Sequence, residues 1–339
     1  MSMFDKLLAN LKAKKKTIVL TEGTDKRILS AAARLLAEDL MDVILCGNVD
    51  EVKAAAKEGN FDISKAQILD PLTYPDMDNM VTKMVELRRG KMTAEDCRNS
   101  LSKSNYFGTM LVKMGLADTL LGGATYSTAD TVRPALQLVK TKKGANLVSS
   151  CFILFRNKDG VEEKLAMGDC AINIAYEDSI DAQGNVTVTA ARKLGEVAVE
   201  TAKTAAFFGI DPKVAVLSFS TYGSGKGGTV KLSHDAVLEA KALDPELVVD
   251  GEFQFDAAVS PVVAKTKCPD SKVAGQANTF IFPCIEAGNI GYKIAQRLGG
   301  YEAYGPILQG LNAPINDLSR GCNADEVYKM AIITAGMAE

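Results

Sequence analysis

The amino-acid sequence predicts an α/β protein with mostly parallel sheets. Short apolar runs typical of buried strands alternate with segments of helical periodicity, as where Thr17–Leu20 leads into Lys26–Leu40. Alternation of this kind is typical of βαβ units, in which the strands pair in parallel. The chain has 339 residues, 47% of them hydrophobic, which indicates two domains or one large domain rather than a single small core.

Further elements follow the same two periodicities along the chain. Asp42–Cys46 and Val49–Lys57 form a second strand–helix pair near the N-terminus. Later in the sequence, the predicted strands are Lys213–Ser218, Leu247–Asp250 and Thr279–Phe282, and the predicted helices are Ala191–Phe208 and Ala287–Leu298. Because strands and helices keep alternating, these strands are expected in a largely parallel sheet.

The middle of the chain predicts a β-hairpin instead. Asn146–Phe155 and Glu162–Met167 are strand-like runs, and the Asp159-Gly160 pair between them is a strong signal for a two-residue hairpin turn. Antiparallel strands are therefore expected to begin the second domain. The domain boundary is placed near Lys143–Gly144, where a lysine-rich stretch interrupts the apolar pattern.

Composition argues against several classes of partner and site. The net charge of −3 and the absence of tryptophan give no sign of a nucleic-acid surface or of binding to an anionic membrane. No apolar run approaches the roughly 20 residues that span a bilayer. The N-terminus also lacks a secretory signal pattern, so a cytoplasmic protein is expected. Seven cysteines, an odd number without CxxC spacing, predict reduced thiols and no metal site.

The segment Pro314–Gly321 is the strongest functional signal in the sequence. It precedes a predicted helix, Ala324 to about Ala338, for which Asn323 and Glu326 form a capping-box pattern. Anions bind readily at a helix start, because its N–H groups are unpaired and the positive end of the helix dipole lies there. An ordinary capped surface helix accounts for the same residues, so this pattern alone leaves both interpretations open.

The side chains around this helix start suit a charged substrate. Arg320 carries a planar guanidinium group that matches phosphate, and Ser319 adds a hydroxyl donor. Asp325 and Glu326 follow as two candidate general bases.

A second candidate anion site follows the apolar run Ala117–Leu121. The two glycines after this run allow the backbone to approach a ligand closely, and Ser127 with Asp130 has capping-box-like spacing. Arg133 lies within two helical turns of the same start. Two segments that each pair a serine with an arginine favour an oxyanion substrate.

Five segments occur in this order along the chain: GGATYSTADTVRPAL, LSFSTYGSG, VDGEFQFDAAVSP, EAGNIGYKIAQRLGG and GPILQGLNAPINDLSRG. Together they resemble the phosphate acetyltransferase (phosphotransacetylase) family, which moves an acetyl group between coenzyme A and phosphate. The resemblance runs from about Thr17 to the C-terminus. It implies direct transfer in a ternary complex, with acetyl-CoA, phosphate, coenzyme A and acetyl phosphate as substrates and no tightly bound cofactor.

The resemblance also implies an architecture. The fold would be that of isocitrate and isopropylmalate dehydrogenases, with a cleft between two α/β domains, and the protein would be a homodimer. The first domain would comprise residues 1–144 and about 307–339, because the chain returns to it near its end. The second domain, about 145–306, would mediate dimerisation.

Family roles carry over to particular positions. The acid seven residues after the motif's serine acts as the base in the family, usually as Asp; here it is Glu326, with Asp325 beside it as the alternative. Ser319 and Arg320 would stabilise charge that develops during the reaction. Substrate contacts would come from Ser127, Thr128 and Arg133 at the phosphate, Arg88 or Arg89 at the phosphates of coenzyme A, and Asp169 and Cys170 in the cleft.

Three other features receive structural interpretations. His234 lies in a predicted surface helix without a recognisable partner, so no acid–base role is given to it. Gly223–Thr229 lacks the spacing of a P-loop, and Tyr222 stands where the family commonly has lysine, with Lys226 further on. Cys170 has no neighbouring base to activate it as a nucleophile and is expected to be an inert thiol.

Alternatives to phosphate acetyltransferase remain. Phosphate butyryltransferase is one, because the sequence does not define the size of the acyl pocket. A decarboxylating dehydrogenase would share the fold, but the chain has no GxGxxG strand–helix junction and no evident acidic metal cluster. A non-catalytic ligand-binding protein is disfavoured by the paired serine and arginine motifs.

Overall fold

The computed structural model describes residues 3–338, which divide into two units. Unit 1 contains the residues up to Lys142 and those from Leu311 onward, and unit 2 is Lys143–Gly310. The strands are β1 (Thr17–Leu20), β2 (Asp42–Cys46), β3 (Gln67–Leu69), β4 (Thr119–Gly122), β5 (Ser149–Lys158), β6 (Val161–Gly168), β7 (Ser179–Ile180), β8 (Val186–Val188), β9 (Val214–Leu217), β10 (Val249–Phe253), β11 (Thr279–Ile281), β12 (Glu302–Gln309) and β13 (Ile315–Asp317).

The helices lie between these strands and at the ends of the chain. They are α1 (Met3–Ala13), α2 (Lys26–Ala37), α3 (Val49–Glu58), α4 (Met77–Arg88), α5 (Ala94–Leu101), α6 (Ser104–Lys113), α7 (Thr128–Pro134), α8 (Ala190–Phe207), α9 (Val230–Leu243), α10 (Phe255–Val259), α11 (Pro261–Lys267), α12 (Ile285–Arg297) and α13 (Ala324–Gly336). A π-helical turn, Ala135–Val139, continues α7. No helix in this described part of the chain is long and apolar enough to cross a membrane.

Unit 1 is built on a parallel sheet in the order β13–β4–β1–β2–β3. The predicted limits of β1 and β2 are confirmed, because both are almost wholly buried and therefore read as continuous apolar runs. The last strand and helix of the chain complete this unit: β13 pairs with β4, and α13 packs on α1 and α2. Segments from both ends of the chain thus share one sheet.

Unit 2 is built on a mixed sheet in the order β10–β9–β11–β6–β5–β12. The first four strands are parallel, whereas β5 pairs antiparallel with both β6 and β12. The predicted hairpin is confirmed as β5–β6. Its two turn residues, Asp159 and Gly160, have φ of 54° and 83°, the left-handed values that a type I′ turn requires. The prediction of an α/β protein with mostly parallel sheets is therefore confirmed.

The core of unit 2 lies on both faces of this sheet, as strand β9 illustrates. Ala215 and Leu217 pack with residues of α10, α11 and α12, whereas Val214 and Val216 pack with residues of α8 and α9. Successive side chains of a strand point to opposite faces, so a short apolar run can serve both layers of helices.

One predicted helix is shorter than expected. Helix α2 ends at Ala37 and does not reach Leu40. Asp39 has a φ of 52°, and the N–H groups of Asp39 and Leu40 donate to the carbonyls of Leu36 and Leu35. This arrangement is a Schellman motif, which satisfies the last carbonyls of the helix and ends it.

Candidate active site

The carboxyl ends of β4 and β13 lie side by side in unit 1 and carry both candidate segments. In the parallel pairing of these strands, Asp317 is opposite Gly122. The N–H of Leu318 donates to the carbonyl of Gly122 at 2.7 Å. Because the two loops leave the same edge of one sheet, the segment that begins at Ser127 and the segment that contains Arg320 are neighbours in space.

Asp317 joins these two segments directly. Its Oδ2 accepts a hydrogen bond from the hydroxyl of Thr128, and its Oδ1 accepts one from the hydroxyl of Thr131, both at 2.6 Å. The residue is 1% exposed. Burial raises the pKa of its carboxyl to about 6, although the two threonine hydrogen bonds act in the opposite direction. Asp317 lies inside the recognised motif, but its neighbours in sequence did not indicate a role for it.

Arg27, near the start of α2, binds the main chain of both segments. Its guanidinium group donates to the carbonyls of Ala124 at 2.8 Å, Arg320 at 2.8 Å and Cys322 at 3.1 Å. Asp25 holds the guanidinium group at 2.7 Å, and this hydrogen bond lowers the pKa of Asp25. Sequence reasoning missed Arg27 because its partners are backbone atoms, which leave no pattern of residue types.

Glu22 and Tyr126 extend this polar network toward β1. The N–H and hydroxyl of Thr125 donate to Glu22 Oε1 at 2.8 and 3.1 Å, and the hydroxyls of Tyr126 and Thr21 are 2.7 Å apart. Burial raises the pKa of both Glu22 and Tyr126. A polar cavity of about 650 Å³ opens beside them, and its lining includes Thr21, Glu22, Asp25, Asn48, Lys103 and Tyr126.

The predicted capping box at α13 is confirmed. Asn323 Oδ1 accepts from the N–H of Glu326, and Glu326 Oε2 accepts from the N–H of Asn323, both at 2.9 Å. Ser319 and Arg320 lie exposed just before this cap. The helix start therefore presents a hydroxyl and a guanidinium group to solvent from a fixed position.

The two candidate bases have different surroundings. Asp325 contacts Lys329 at 2.9 Å and Arg34 at 3.1 Å, and its pKa is lowered, chiefly by the hydrogen bond from Lys329. Glu326 is half-buried and uses one carboxylate oxygen for the cap. A carboxylate whose pKa is lowered by two cations is the weaker proton acceptor, so these contacts favour Glu326.

The capping-box-like spacing at Ser127 does not produce a side-chain cap. The Ser127 hydroxyl donates to Asp130 Oδ2 at 2.7 Å and makes no hydrogen bond that caps α7. The carboxylate competes with the backbone as a partner, because charge-assisted hydrogen bonds are the stronger kind. Arg133 lies on the same face, exposed, with Nη1 3.7 Å from Asp130 Oδ1. Ser127, Asp130 and Arg133 thus form one exposed polar cluster.

Arg88 and Arg89 lie at the end of α4 in unit 1. Arg89 is exposed and has a φ of 48°, which ends the helix. Arg88 is half-buried, and within residues 3–338 its buried Nε has no hydrogen-bond partner. Burial raises the pKa of the Tyr106 hydroxyl, and the positive charges of Arg133 and Arg88 act in the opposite direction. Both arginines therefore lie near the Tyr106 ring.

Asp169 and Cys170, the two residues predicted to line the cleft, are buried in unit 2, at 1% and 0% exposure. The Asp169 carboxylate accepts hydrogen bonds from Ser150 and from the N–H groups of residues 171–173. Burial raises the pKa of the Cys170 thiol well above its usual range, which fits the predicted inert thiol. All seven cysteines are free.

His234 has a partner that the sequence did not indicate. Its Nδ1 lies 3.5 Å from Oε2 of Glu252, a buried residue of β10, while the histidine side chain is more than half exposed. The two residues meet because α9 packs on β10. Close by, the hydroxyl of Tyr222 donates to Asp250 Oδ2 at 2.7 Å, and Lys226 is exposed in the glycine-rich loop.

Comparison of the sequence with known proteins identifies the family. The sequence profile of the phosphate acetyl/butaryl transferase family matches residues 2–335. The chain belongs to this family. A phosphate acetyltransferase of Bacillus subtilis (strain 168) is 52% identical over 336 residues, which cover 99% of each chain. A phosphate acetyltransferase of Staphylococcus epidermidis is 49% identical, over 97% of this chain and 96% of the relative.

A solved structure extends this family likeness to the fold. The crystal structure of a phosphotransacetylase from Streptococcus pyogenes superposes with a TM-score of 0.90 at 50% identity, and it covers 98% of this chain and 97% of that one. The resemblance stated from the five sequence segments is therefore confirmed. Membership of a transferase family also removes the reason to consider a decarboxylating dehydrogenase.

Among residues 3–338, no group of three or more His, Cys, Asp or Glu side chains is placed to hold a metal ion.

Proposed function

We propose that this protein is a phosphate acetyltransferase, an acyltransferase that interconverts acetyl-CoA and phosphate with coenzyme A and acetyl phosphate. The observation that carries this proposal is 52% identity to a phosphate acetyltransferase over 99% of both chains. The site supports it independently, because two segments that each expose a serine and an arginine meet at one edge of the sheet of unit 1.

The substrate phosphate binds between these two segments. Arg133 and Ser127 are exposed on one of them and Arg320 and Ser319 on the other, so cationic and hydroxyl groups approach the anion from two sides. Arg88 and Arg89 contact the phosphates of coenzyme A. Arg88 Nε has no hydrogen-bond partner within residues 3–338, and Arg88 and Arg133 both lie near Tyr106, which supports this role.

The chemistry is direct transfer in a ternary complex. Glu326 takes the proton from the coenzyme A thiol, because an alkyl thiol such as that of cysteine, with a reference pKa of about 8.5, is little ionised at neutral pH. The thiolate attacks the carbonyl carbon of acetyl phosphate, and the C–O bond to phosphate breaks as the tetrahedral intermediate collapses. Arg320 and Ser319 stabilise the negative charge that develops on the oxygens. Asp325 is already paired with Lys329 and Arg34, and its negative charge stabilises the N-terminus of α13 through the helix dipole.

The proposal includes the expected assembly and location. The units are two α/β domains of the isocitrate and isopropylmalate dehydrogenase type, and the protein is a cytoplasmic homodimer. Unit 2 supports dimerisation, because Ile290 and Ile294 of α12 and Leu298 at its C-terminal end form one exposed stripe, at 59%, 53% and 85% exposure. Beside this stripe lies a mostly apolar groove of about 1020 Å³, whose lining includes Phe219, Phe255, Phe282 and Ile294. A large exposed apolar surface marks an interaction site.

Thioester formation tests the function. Coenzyme A is mixed with acetyl, propionyl or butyryl phosphate, and ultraviolet absorbance follows the thioester. We expect the highest kcat/KM with acetyl phosphate. A preference for butyryl phosphate would instead make the protein a phosphate butyryltransferase, which the family also contains. No thioester with any acyl phosphate would refute the proposed function.

A further inference from the structure

We infer that Asp317 is a positioning residue for acetyl transfer, which holds Thr128 of the phosphate-binding segment against the segment that carries Ser319 and Arg320. This inference rests on the proposed phosphate acetyltransferase activity. Asp317 is 1% exposed, so its carboxylate acts on the substrate through its neighbours and not by contact.

The geometry leaves little freedom in this link. Asp317 ends β13 two residues before Ser319, and each of its oxygens accepts a 2.6 Å hydrogen bond from a threonine hydroxyl of α7. The loop after β4 also packs directly on the carboxylate: a Cβ atom added to Gly123 would lie 2.2 Å from Asp317 Oδ1. Gly123 therefore allows the close approach, and Asp317 defines the distance between the two segments.

The hydrogen bonds also determine how Thr128 faces the substrate. A threonine hydroxyl has one hydrogen, and the hydrogen of Thr128 is donated to Asp317. The side chain of Thr128 is half-buried at the surface, so its oxygen is held there in one orientation. The sequence predicted Thr128 as a substrate contact, and Asp317 controls the position of that contact.

The charge of Asp317 supports a functional role. Burying a carboxylate among neutral donors is costly, and a purely structural link could use a neutral side chain. Burial raises the pKa of Asp317, and this rise reflects the free-energy cost of keeping the charged carboxylate out of water. Residues that carry such a cost are concentrated at functional sites.

Thr131 provides a matched control for Thr128. Both hydroxyls donate to the same carboxylate at the same distance, but Thr131 is 1% exposed and faces the interior of unit 1. Replacement by valine removes either hydrogen bond with nearly unchanged side-chain shape. A role in positioning the substrate contact requires the two variants to differ in kinetics, whereas a purely structural role of Asp317 would affect both alike.

The test measures kcat and KM for acetyl phosphate, together with the thermal midpoint, in full-length protein. The variants are Asp317→Asn, Thr128→Val, Thr131→Val and the double variant Asp317→Asn with Thr128→Val. We expect Asp317→Asn and Thr128→Val each to lower kcat/KM by about tenfold or more, with the double variant no worse than the poorer single one, because both remove the same link. Thr131→Val should lower the thermal midpoint and change kcat/KM by less than about threefold.

Three results would overturn the inference. They are wild-type kinetics in a folded Asp317→Asn variant, multiplicative losses in the double variant, and equal kinetic losses in the two threonine variants. Absence of thioester formation by the wild-type protein would refute the proposed function itself. The wild-type control therefore distinguishes failure of the proposed function from failure of this inference.

Discussion

The guanidinium group of Arg27 donates a 2.8 Å hydrogen bond to the main-chain carbonyl of Arg320, 293 residues away in sequence. The same group reaches the carbonyls of Ala124 and Cys322. Arg27 thus binds the backbone on both sides of the candidate phosphate site, and the positions of the loops depend on its planar arrangement of donors.

Replacing Arg27 with lysine should therefore impair both stability and catalysis. Lysine keeps the charge but cannot donate to three carbonyls and Asp25 at once. We expect a loss of about 2 kcal/mol in the free energy of unfolding and at least a tenfold fall in kcat. Chemical denaturation and the thioester assay measure these effects. Lys26→Arg, at an exposed position beside it, is the control, and normal kcat in Arg27→Lys would contradict a role in loop placement.

Arg320 and Arg133 should affect different kinetic constants. Both are exposed, so alanine at either position should leave the fold intact. Arg320→Ala should lower kcat by about 10²–10³, the usual loss for one preorganised donor to a developing charge. Arg133→Ala should mainly raise KM for acetyl phosphate, because it removes binding that the ground state and transition state share. Near-normal kcat in Arg320→Ala, or an unchanged KM in Arg133→Ala, would refute this division of roles.

Glu326→Gln separates catalysis from helix capping. Glutamine can still accept the hydrogen bond from the Asn323 N–H, so the thermal midpoint should change little. It cannot accept the thiol proton, and kcat should fall by about 10²–10⁴. Asp325→Asn is the matched comparison and should be much milder, because the pKa of Asp325 is lowered by Lys329 and Arg34. A large loss confined to Asp325→Asn would transfer the role of base to that residue.

The buried carboxyl of Asp317 should make stability depend on pH. Its pKa is about 3.8 when unfolded and about 6 in the structure, so the folded state retains this proton at pH values where the unfolded state has lost it. Its contribution to stability is present below pH 3.8 and is lost as pH rises to about 6, by about 3 kcal/mol in total. The free energy of unfolding of the wild type, relative to Asp317→Asn, should fall accordingly between pH 4 and pH 6 and then level off. Urea titrations across this range measure it, and a constant difference would disprove the raised pKa.

A glutamate in the apolar stripe of α12 should disrupt the proposed homodimer. Ile294→Glu places a charge among Ile290 and Leu298 beside the apolar groove, where a partner subunit would have to bury it. By light scattering at micromolar concentration, we expect this variant to be a monomer and the wild type to be a dimer. Leu238→Glu, at a comparably exposed apolar residue of α9, should remain dimeric. Dimerisation of Ile294→Glu would place the interface elsewhere.

Much of the local structure could be predicted because its causes are local. The strands Thr17–Leu20 and Asp42–Cys46 are continuous apolar runs, and Asp159-Gly160 supplies the left-handed turn that a hairpin needs. The cap at Asn323 and Glu326 was predicted for the same reason, since both partners lie within one helical turn. The pattern at Ser127 has equivalent spacing, yet there the hydroxyl bonds the Asp130 carboxylate and no capping box forms.

The sequence by itself determined the class of fold, the family and the residues that carry charge at the candidate site. These follow from periodicity, turn chemistry and motifs, in which the interacting groups are close along the chain or the residue types are distinctive. The tertiary structure alone decided that Thr128 meets Asp317 from 189 residues away, that Arg27 holds both loops, and that Asp169 and Cys170 are buried. The physical reason is that such contacts depend on which strands become neighbours: β13 pairs with β4, and the side chains at their carboxyl ends meet only through that pairing.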